Sequence, residues 1–167
     1  SENNLENAFV NFISSIPFYG FCVICIDHPR IQKIYSKFTN RKIITYGVSP
    51  NADVRAINIK YKKERMIFDV TYKGIKNNRV SSINNIEFSM IGLHNVQNAL
   101  ASIAIALELN IKKTIIKSAL KSFKGVQRRF QLIDIYNKVK IIDDYGHHPE
   151  EIKSALSATK LLNSNGK

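Results

Sequence analysis

The sequence has 167 residues, 44% hydrophobic and 23% charged, with 25 Lys and Arg against 13 Asp and Glu for a formal charge of +12. That length and composition suit a folded chain with its own core and exclude disordered and fibrous classes. No apolar run approaches the roughly 20 residues that span a bilayer, and the start at Ser1 lacks a basic n-region and an apolar h-region, so we expect no membrane anchor, no secretory signal and a cytoplasmic location.

Residues 5–16 carry apolar side chains at 5, 9, 12, 13 and 16, which predicts a helix with one apolar face, ended by Pro17 and Gly20. Residues 21–26 form an apolar run that reads as a buried strand. Cys22 and Cys25 lie within it, three apart and so on opposite faces, with no second pair to complete a zinc site; inert buried thiols are expected. A helix over 29–38, with Pro29 in its first turn, and a strand over 42–46 give a strand–helix–strand rhythm of parallel α/β type. From 53 to 90 the pattern alternates at 56–59, 66–72 and 83–90, with turn signals at 61–65 and 74–78; an antiparallel meander is expected.

Residues 94–109 predict a helix with Val96, Ala99, Leu100, Ile103 and Leu107 on one face, and 112–123 a second helix closed by Gly125. Beyond it, 130–136 and 139–142 read as a hairpin through Asn137-Lys138, 143–148 as a polar loop, and 149–162 as a helix. Glu150 and Glu151 in its first turn and Lys160 near its end suit the helix dipole. A boundary near 124 divides the chain into 1–124 and 125–167, and the second part is too short for an independent core.

The charge invites a basic binding module for nucleic acid or membrane. Its make-up argues against one: 18 Lys to 7 Arg, dispersed along the chain, beside 25 Ile and 17 Asn, the signature of A/T-rich codons. Partners of either kind are therefore not expected.

Three patches carry possible chemistry. Gly92-Leu-His94-Asn95-Val-Gln-Asn98 opens the strong helix, with Asn95 and Asn98 three apart and Ser102 continuing the face. Paired amides can match a purine edge; on spacing alone an N-cap at Asn95 and a solvated Asn98 are the favoured reading. Arg128-Arg129-Phe130 follows Gly125, and an Arg pair suits forked contact with phosphate or carboxylate, or plain surface charge. Asp143-Asp144-Tyr145-Gly146-His147-His148-Pro149 lies between a strand and a helix, where α/β proteins place ligands. Ligand handling is the favoured reading there over a metal site or turn and capping chemistry.

In this order the patches resemble the Mur ligases, the ATP-dependent amide ligases of peptidoglycan synthesis. Pro17-Phe18-Tyr19-Gly20, Ile44-Thr45-Tyr46-Gly47, Gly92-x-His94-Asn95-x-x-Asn98-Ala99-Leu100-Ala101, Gly125-Val-x-Arg128-Arg129-Phe130 and the Asp143–Pro149 stretch extend the likeness over nearly the whole chain. The resemblance implies an α/β fold in two parts: the later part of the central ATP-binding domain (1–124), then the start of a Rossmann-like, amino-acid-binding C-terminal domain (125–167). Within the family, the Arg-Arg-Phe and Asp-Asp-Tyr-Gly forms are similar to the member that joins L-alanine to UDP-N-acetylmuramate. A ligase that recycles whole peptides onto the same sugar nucleotide is the alternative.

That chemistry passes the γ-phosphate of ATP to the sugar's carboxylate, and the amine of L-alanine then displaces it to give amide, ADP and phosphate. The resemblance places His94, Asn95 and Asn98 around the adenine and Asp144 on the ATP ribose. Arg129 is its catalytic residue at the phosphates, and Tyr145 and His147 line the amino-acid site. No GxxxxGK[ST] loop occurs in the sequence, and the Glu and His ligands of Mg²⁺ are expected upstream of residue 1, with none in this segment. The chain is thus expected to be a piece of something longer and inactive alone, with the missing domains in the same or a companion chain.

Overall fold

The computed structural model describes residues 2–35, 41–73 and 80–163. Helix α1 (Glu2–Ser14) leads into β1 (Phe21–Cys25), α2 (Pro29–Ile34) and β2 (Lys42–Gly47). Strands β3 (Val54–Lys62), β4 (Arg65–Lys73) and β5 (Val80–Phe88) follow, then helices α3 (Leu93–Glu108) and α4 (Lys113–Ser122). Strands β6 (Gln131–Tyr136) and β7 (Val139–Asp143) and helix α5 (Pro149–Asn163) complete the chain.

Strands β1 to β5 make one sheet in sequence order, parallel from β1 through β3 and antiparallel from β3 through β5. The parallel unit and the meander are therefore not separate modules, because β2 hydrogen-bonds directly to β3. Alternation along β4 buries Met66, Phe68 and Val70 on one face. Against them and against Ile83, Ile86 and Phe88 of β5 pack Val96, Ala99, Leu100 and Ile103 of α3. Val23 and Ile44 extend this core across the parallel strands. Their sequence neighbours Cys22, Ile24 and Ile43 point the other way, to a small cluster with Ile13 of α1 and Ile34 of α2. The sheet thus has helices on both faces.

Two bulges interrupt the meander, one in β3 between Ile57 and Lys60 and one where β5 passes Phe68 and Val70. Asp69 of the middle strand serves both. Its Oδ2 accepts from Asn58 Nδ2 at 2.8 Å and its Oδ1 from the Asn85 N–H at 2.7 Å. Both asparagines take positive φ, 54° and 53°, the left-handed backbone that Asn tolerates better than most residues. These bonds hold the Asp69 carboxyl below the ordinary carboxylate range.

Helix α4 lies along β5 through three lysines spaced four apart. Lys113 Nζ donates to Ser82 O at 3.0 Å, Lys117 Nζ to Asn84 O at 2.7 Å, and Lys121 Nζ pairs with Glu87 at 3.0 Å. Lysines that read as loose surface charge are thereby spent on a sheet edge.

The hairpin β6–β7 turns at Asn137 and Lys138 with φ of 48° and 67°, the two-residue turn that matches strand twist. Helix α5 returns to the main core, where Ala158 is fully buried and Leu161, Leu162 and Phe130 pack beside it.

Several expectations change. In α1 the inward stripe runs through Val10 and Ile13, continued by Ile16 just past its end, while Phe9 and Phe12 face outward, so only part of the apolar face meets the sheet. Strand β1 is half-buried rather than buried, because it is the terminal strand of the described sheet. Cys22 and Cys25 are free and half-buried, and burial pushes both thiols up, which keeps them protonated and unreactive. Helix α2 stops at Ile34; its expected extension to Phe38, and the turn at 74–78, lie outside the described residues. Gly125, with φ 92°, does not close α4, which ends in extended backbone at Phe123; the glycine instead bends the link to Arg128.

The core and the bulges give separate expectations. Leu100→Ala and Phe68→Ala should each cost about 3 kcal/mol in urea unfolding, since both side chains are completely buried. Because the folded pKa of Asp69 lies below its unfolded value, its contribution is present above about pH 4 and is lost as pH falls through the folded pKa. The melting-temperature gap between wild type and Asp69→Ala should therefore be full near neutrality and shrink in acid.

Candidate functional site

The polar face of α3 turns away from the sheet, towards the link at 124–130 and the loop before α5. Burial of Val96, Ala99 and Leu100 dictates this: with those positions fixed inward, Asn98 and Ser102 must project outward. Two neighbouring cavities open there. One, of about 440 Å³, has walls from Phe88, Met90, Ala99, Leu120, Phe123 and Val126, with Asn95, Asn98, Ser102 and Arg129 as its polar lining. Phe88 and Phe123 stack at its edge, ring centroids 5.9 Å apart and planes 16° from parallel. The second, of about 230 Å³, is polar and lined by His94, Asn98, Arg129, Asp144, Glu150, Glu151 and Ser154. Asn98 and Arg129 line both.

Asn95 is not the N-cap, which is Gly92. It is buried at 3% exposure, and its Nδ2 donates to Ile91 O at 2.8 Å. Its amide is therefore already engaged, whereas that of Asn98 is exposed. Gly92 has φ 107°, and a Cβ built there would lie 2.8 Å from the His94 ring and 3.2 Å from Ala158 of α5. A side chain at this position would push apart the helices that carry the two halves of the site. His94 is half-buried, and desolvation lowers its pKa, opposed by the Asp144 carboxylate and reinforced by Arg129, which favours the neutral ring.

The link to α5 is strained and tightly tied. Arg128 and Phe130 both hold positive φ, 58° and 49°, an arrangement costing about 1 kcal/mol or more per residue that the surrounding structure must enforce. Asp144 enforces it: Oδ2 accepts from the Phe130 N–H at 2.9 Å and Oδ1 from the Gly146 N–H at 2.7 Å. The Tyr145 N–H donates to Arg128 O at 2.7 Å. Between the strained residues, Arg129 projects into both cavities. Asp144 keeps free lone pairs on both oxygens for a further donor.

Arg128 turns elsewhere, over the Tyr145 ring at 4.9 Å and towards Asp143 at 3.6 Å. Tyr145 and His147 meet edge to face at 5.3 Å and stand largely exposed beside the polar cavity without lining it. Glu151 accepts from the His147 and His148 N–H groups at 3.2 Å each, which fixes the loop at the start of α5. Those bonds hold its carboxyl below the usual range. Among the described residues no group of three or more His, Cys, Asp or Glu side chains could hold a metal ion.

Sequence reasoning missed the apolar walls at Phe88, Met90 and Phe123 and the acidic lining at Glu150 and Glu151. Glu151 read only as a dipole-matching residue, and the stacked phenylalanines are 35 residues apart with nothing local to link them.

Comparison with known proteins gives these observations a family. The Mur ligase middle domain matches residues 1–106, and the Mur ligase glutamate ligase domain matches residues 128–167. The chain is 43% identical over 160 residues to the UDP-N-acetylmuramate–L-alanine ligase of Gluconobacter oxydans, covering 96% of this chain and 34% of that protein. It is 46% identical over 156 residues to the enzyme of the same name from Bartonella henselae, covering 93% and 33%. It superposes on the crystal structure of MurF from Acinetobacter baumannii with a TM-score of 0.80 at 22% identity, over 96% of this chain and 34% of that one. The chain thus spans about a third of the length of the curated relatives it matches. The middle-domain match alone takes in more than half of the sequence, and the chain belongs to the Mur ligase family.

Proposed function

We propose that this segment is the adenosine-binding part of an ATP-dependent ligase that joins L-alanine to UDP-N-acetylmuramate in peptidoglycan synthesis. The observation that carries the reading is that Asn98 and Arg129, from opposite sides of the link, line both cavities. The apolar cavity, walled by Phe88 and Phe123 and edged by Asn98 and Ser102, suits a flat purine whose edge needs paired donor and acceptor groups. The polar cavity suits a ribose and the start of a phosphate chain, with Asp144 accepting from a hydroxyl and Arg129 presenting a forked cation.

On this reading His94 flanks the nucleotide as a neutral ring, and Asn95 supports the site through its bond to Ile91. Arg129 is the residue that reaches the phosphates. Tyr145 and His147 form the edge of the amino-acid site, and their exposure leaves them open to a small substrate. Residues 1–124 and 125–167 are the two domain parts that close over the nucleotide. The phosphate loop and the Mg²⁺ ligands come from segments outside these residues, in the same or a companion chain. Catalysis is proposed for that complete assembly, acting in the cytoplasm where its nucleotides are; no helix among the described residues is long and apolar enough to cross a membrane.

L-alanine is favoured over a peptide acceptor because relatives named for it match at 43–46% identity. A basic binding module is disfavoured because Lys113, Lys117, Lys121 and Lys140 are engaged within the fold.

A polypeptide carrying this segment with its native upstream sequence should release ADP only when UDP-N-acetylmuramate, L-alanine and Mg²⁺ are all present. Absence of ADP release, or release driven by a tripeptide in preference to L-alanine, would refute the substrate assignment. In that polypeptide Asn98→Ala should raise the KM for ATP about tenfold, the loss of roughly one strong hydrogen bond, with the KM for L-alanine little changed, whereas Asp144→Ala should raise it further because it also releases the Phe130 and Gly146 N–H groups.

A further inference from the structure

Two residues past β1, Asp27 collects N–H groups from two other parts of the fold. Its oxygens accept from the Val48 N–H at 3.0 Å and the Ser49 N–H at 2.9 Å, both in the loop that leaves β2. The same carboxylate accepts from Gln97 Nε2, on the second turn of α3, at 2.6 Å. The neighbouring residue has to be glycine: a Cβ on Gly47 would lie 2.3 Å from Asp27 Oδ1. Charged acceptors of this kind make strong, directional bonds. Asp27 therefore joins the carboxyl ends of the parallel strands to the helix that bears the nucleotide-facing residues.

The join matters because apolar packing fixes the depth of α3 better than its rotation. Contacts by Val96, Ala99, Leu100 and Ile103 are non-directional, and the Gly92 cap provides no side-chain bond. Directional ties come from Lys42 to Glu108 at the far end of α3 and from Asp27 to Gln97 near its start. Gln97 immediately precedes Asn98, so any rotation released at Gln97 is carried directly to the Asn98 amide.

We propose that Asp27 is a positioning residue which, through Gln97, sets the rotation of the first turns of α3 and so aims Asn98 and His94 into the nucleotide cavities. The proposal rests on the reading of those cavities as a nucleotide site. The aromatic walls bind the base surface, and the Asp27–Gln97 tie determines whether the polar edge of α3 meets it in register.

The test uses the 167-residue chain, isotope-labelled for NMR and titrated with ADP. Asp27→Ala removes the acceptor for Gln97 together with that for the Val48 and Ser49 N–H groups. Gln97→Ala cuts the same tie while leaving the Val48 and Ser49 bonds intact. Both should weaken ADP binding about five-fold, move the Asn98 side-chain amide resonances and reduce hydrogen-exchange protection in the first turns of α3. Asp27→Asn can keep the tie, because the Gln97 amide can turn to accept through Oε1, and should hold affinity to within about two-fold of wild type.

Unchanged affinity and unchanged Asn98 resonances in Gln97→Ala would overturn the proposal, as would an Asp27→Asn variant that binds no better than Asp27→Ala. If wild type binds no ADP, the nucleotide reading falls. The exchange protection of α3 then decides the tie by itself, and equal protection in wild type and Gln97→Ala overturns it.

Discussion

Everything in the site descends from the seating of α3 on the sheet. Once Val96, Ala99, Leu100 and Ile103 are buried in one core with Phe68, Val70 and Ile86, the helical period leaves one outward direction for Asn98 and Ser102. The same seating brings Gly92 against α5, where an added Cβ would crowd Ala158 at 3.2 Å. A close-packed core thus positions polar groups that make no contribution to it.

Opposite that fixed face is a segment held in place by hydrogen bonds and backbone strain. Arg128 and Phe130 occupy left-handed backbone, and Asp144 binds Phe130 and Gly146 so that Arg129 is presented to both cavities. The contrast in construction fits a site assembled from a rigid platform and an approaching part. Gly125 bends the chain between them, and Lys140 reaches back to Glu64 at 2.6 Å, an exposed ion pair that contributes little to stability.

Much of this was legible in the sequence where one period dominated. The alternation of Met66, Phe68 and Val70 and the 3.6-residue repeat of α3 each encode a single buried face, so strand and helix follow directly. The three motif patches also meet in space, because His94, Asn98, Arg129 and Asp144 line one cavity. What stayed hidden depends on long-range geometry. The Asp69 clamp on two bulges, the Phe88–Phe123 wall and the Asp27–Gln97 tie each join residues whose local patterns are unremarkable. Asn95 shows the limit of spacing: it lines the apolar cavity beside Asn98, yet its Nδ2 is already donated to Ile91 O. In α1, periodicity marks an apolar face without showing how much of it the sheet covers.

The central claim is that residues from both sides of the link grip one nucleotide, and a crystal structure of the chain grown with ADP tests it most directly. The account predicts the purine between Phe88, Phe123 and Asn98, the ribose within hydrogen-bonding distance of Asp144, and Arg129 turned to the phosphates. ADP bound elsewhere, or in contact only with residues before Gly125, would contradict it.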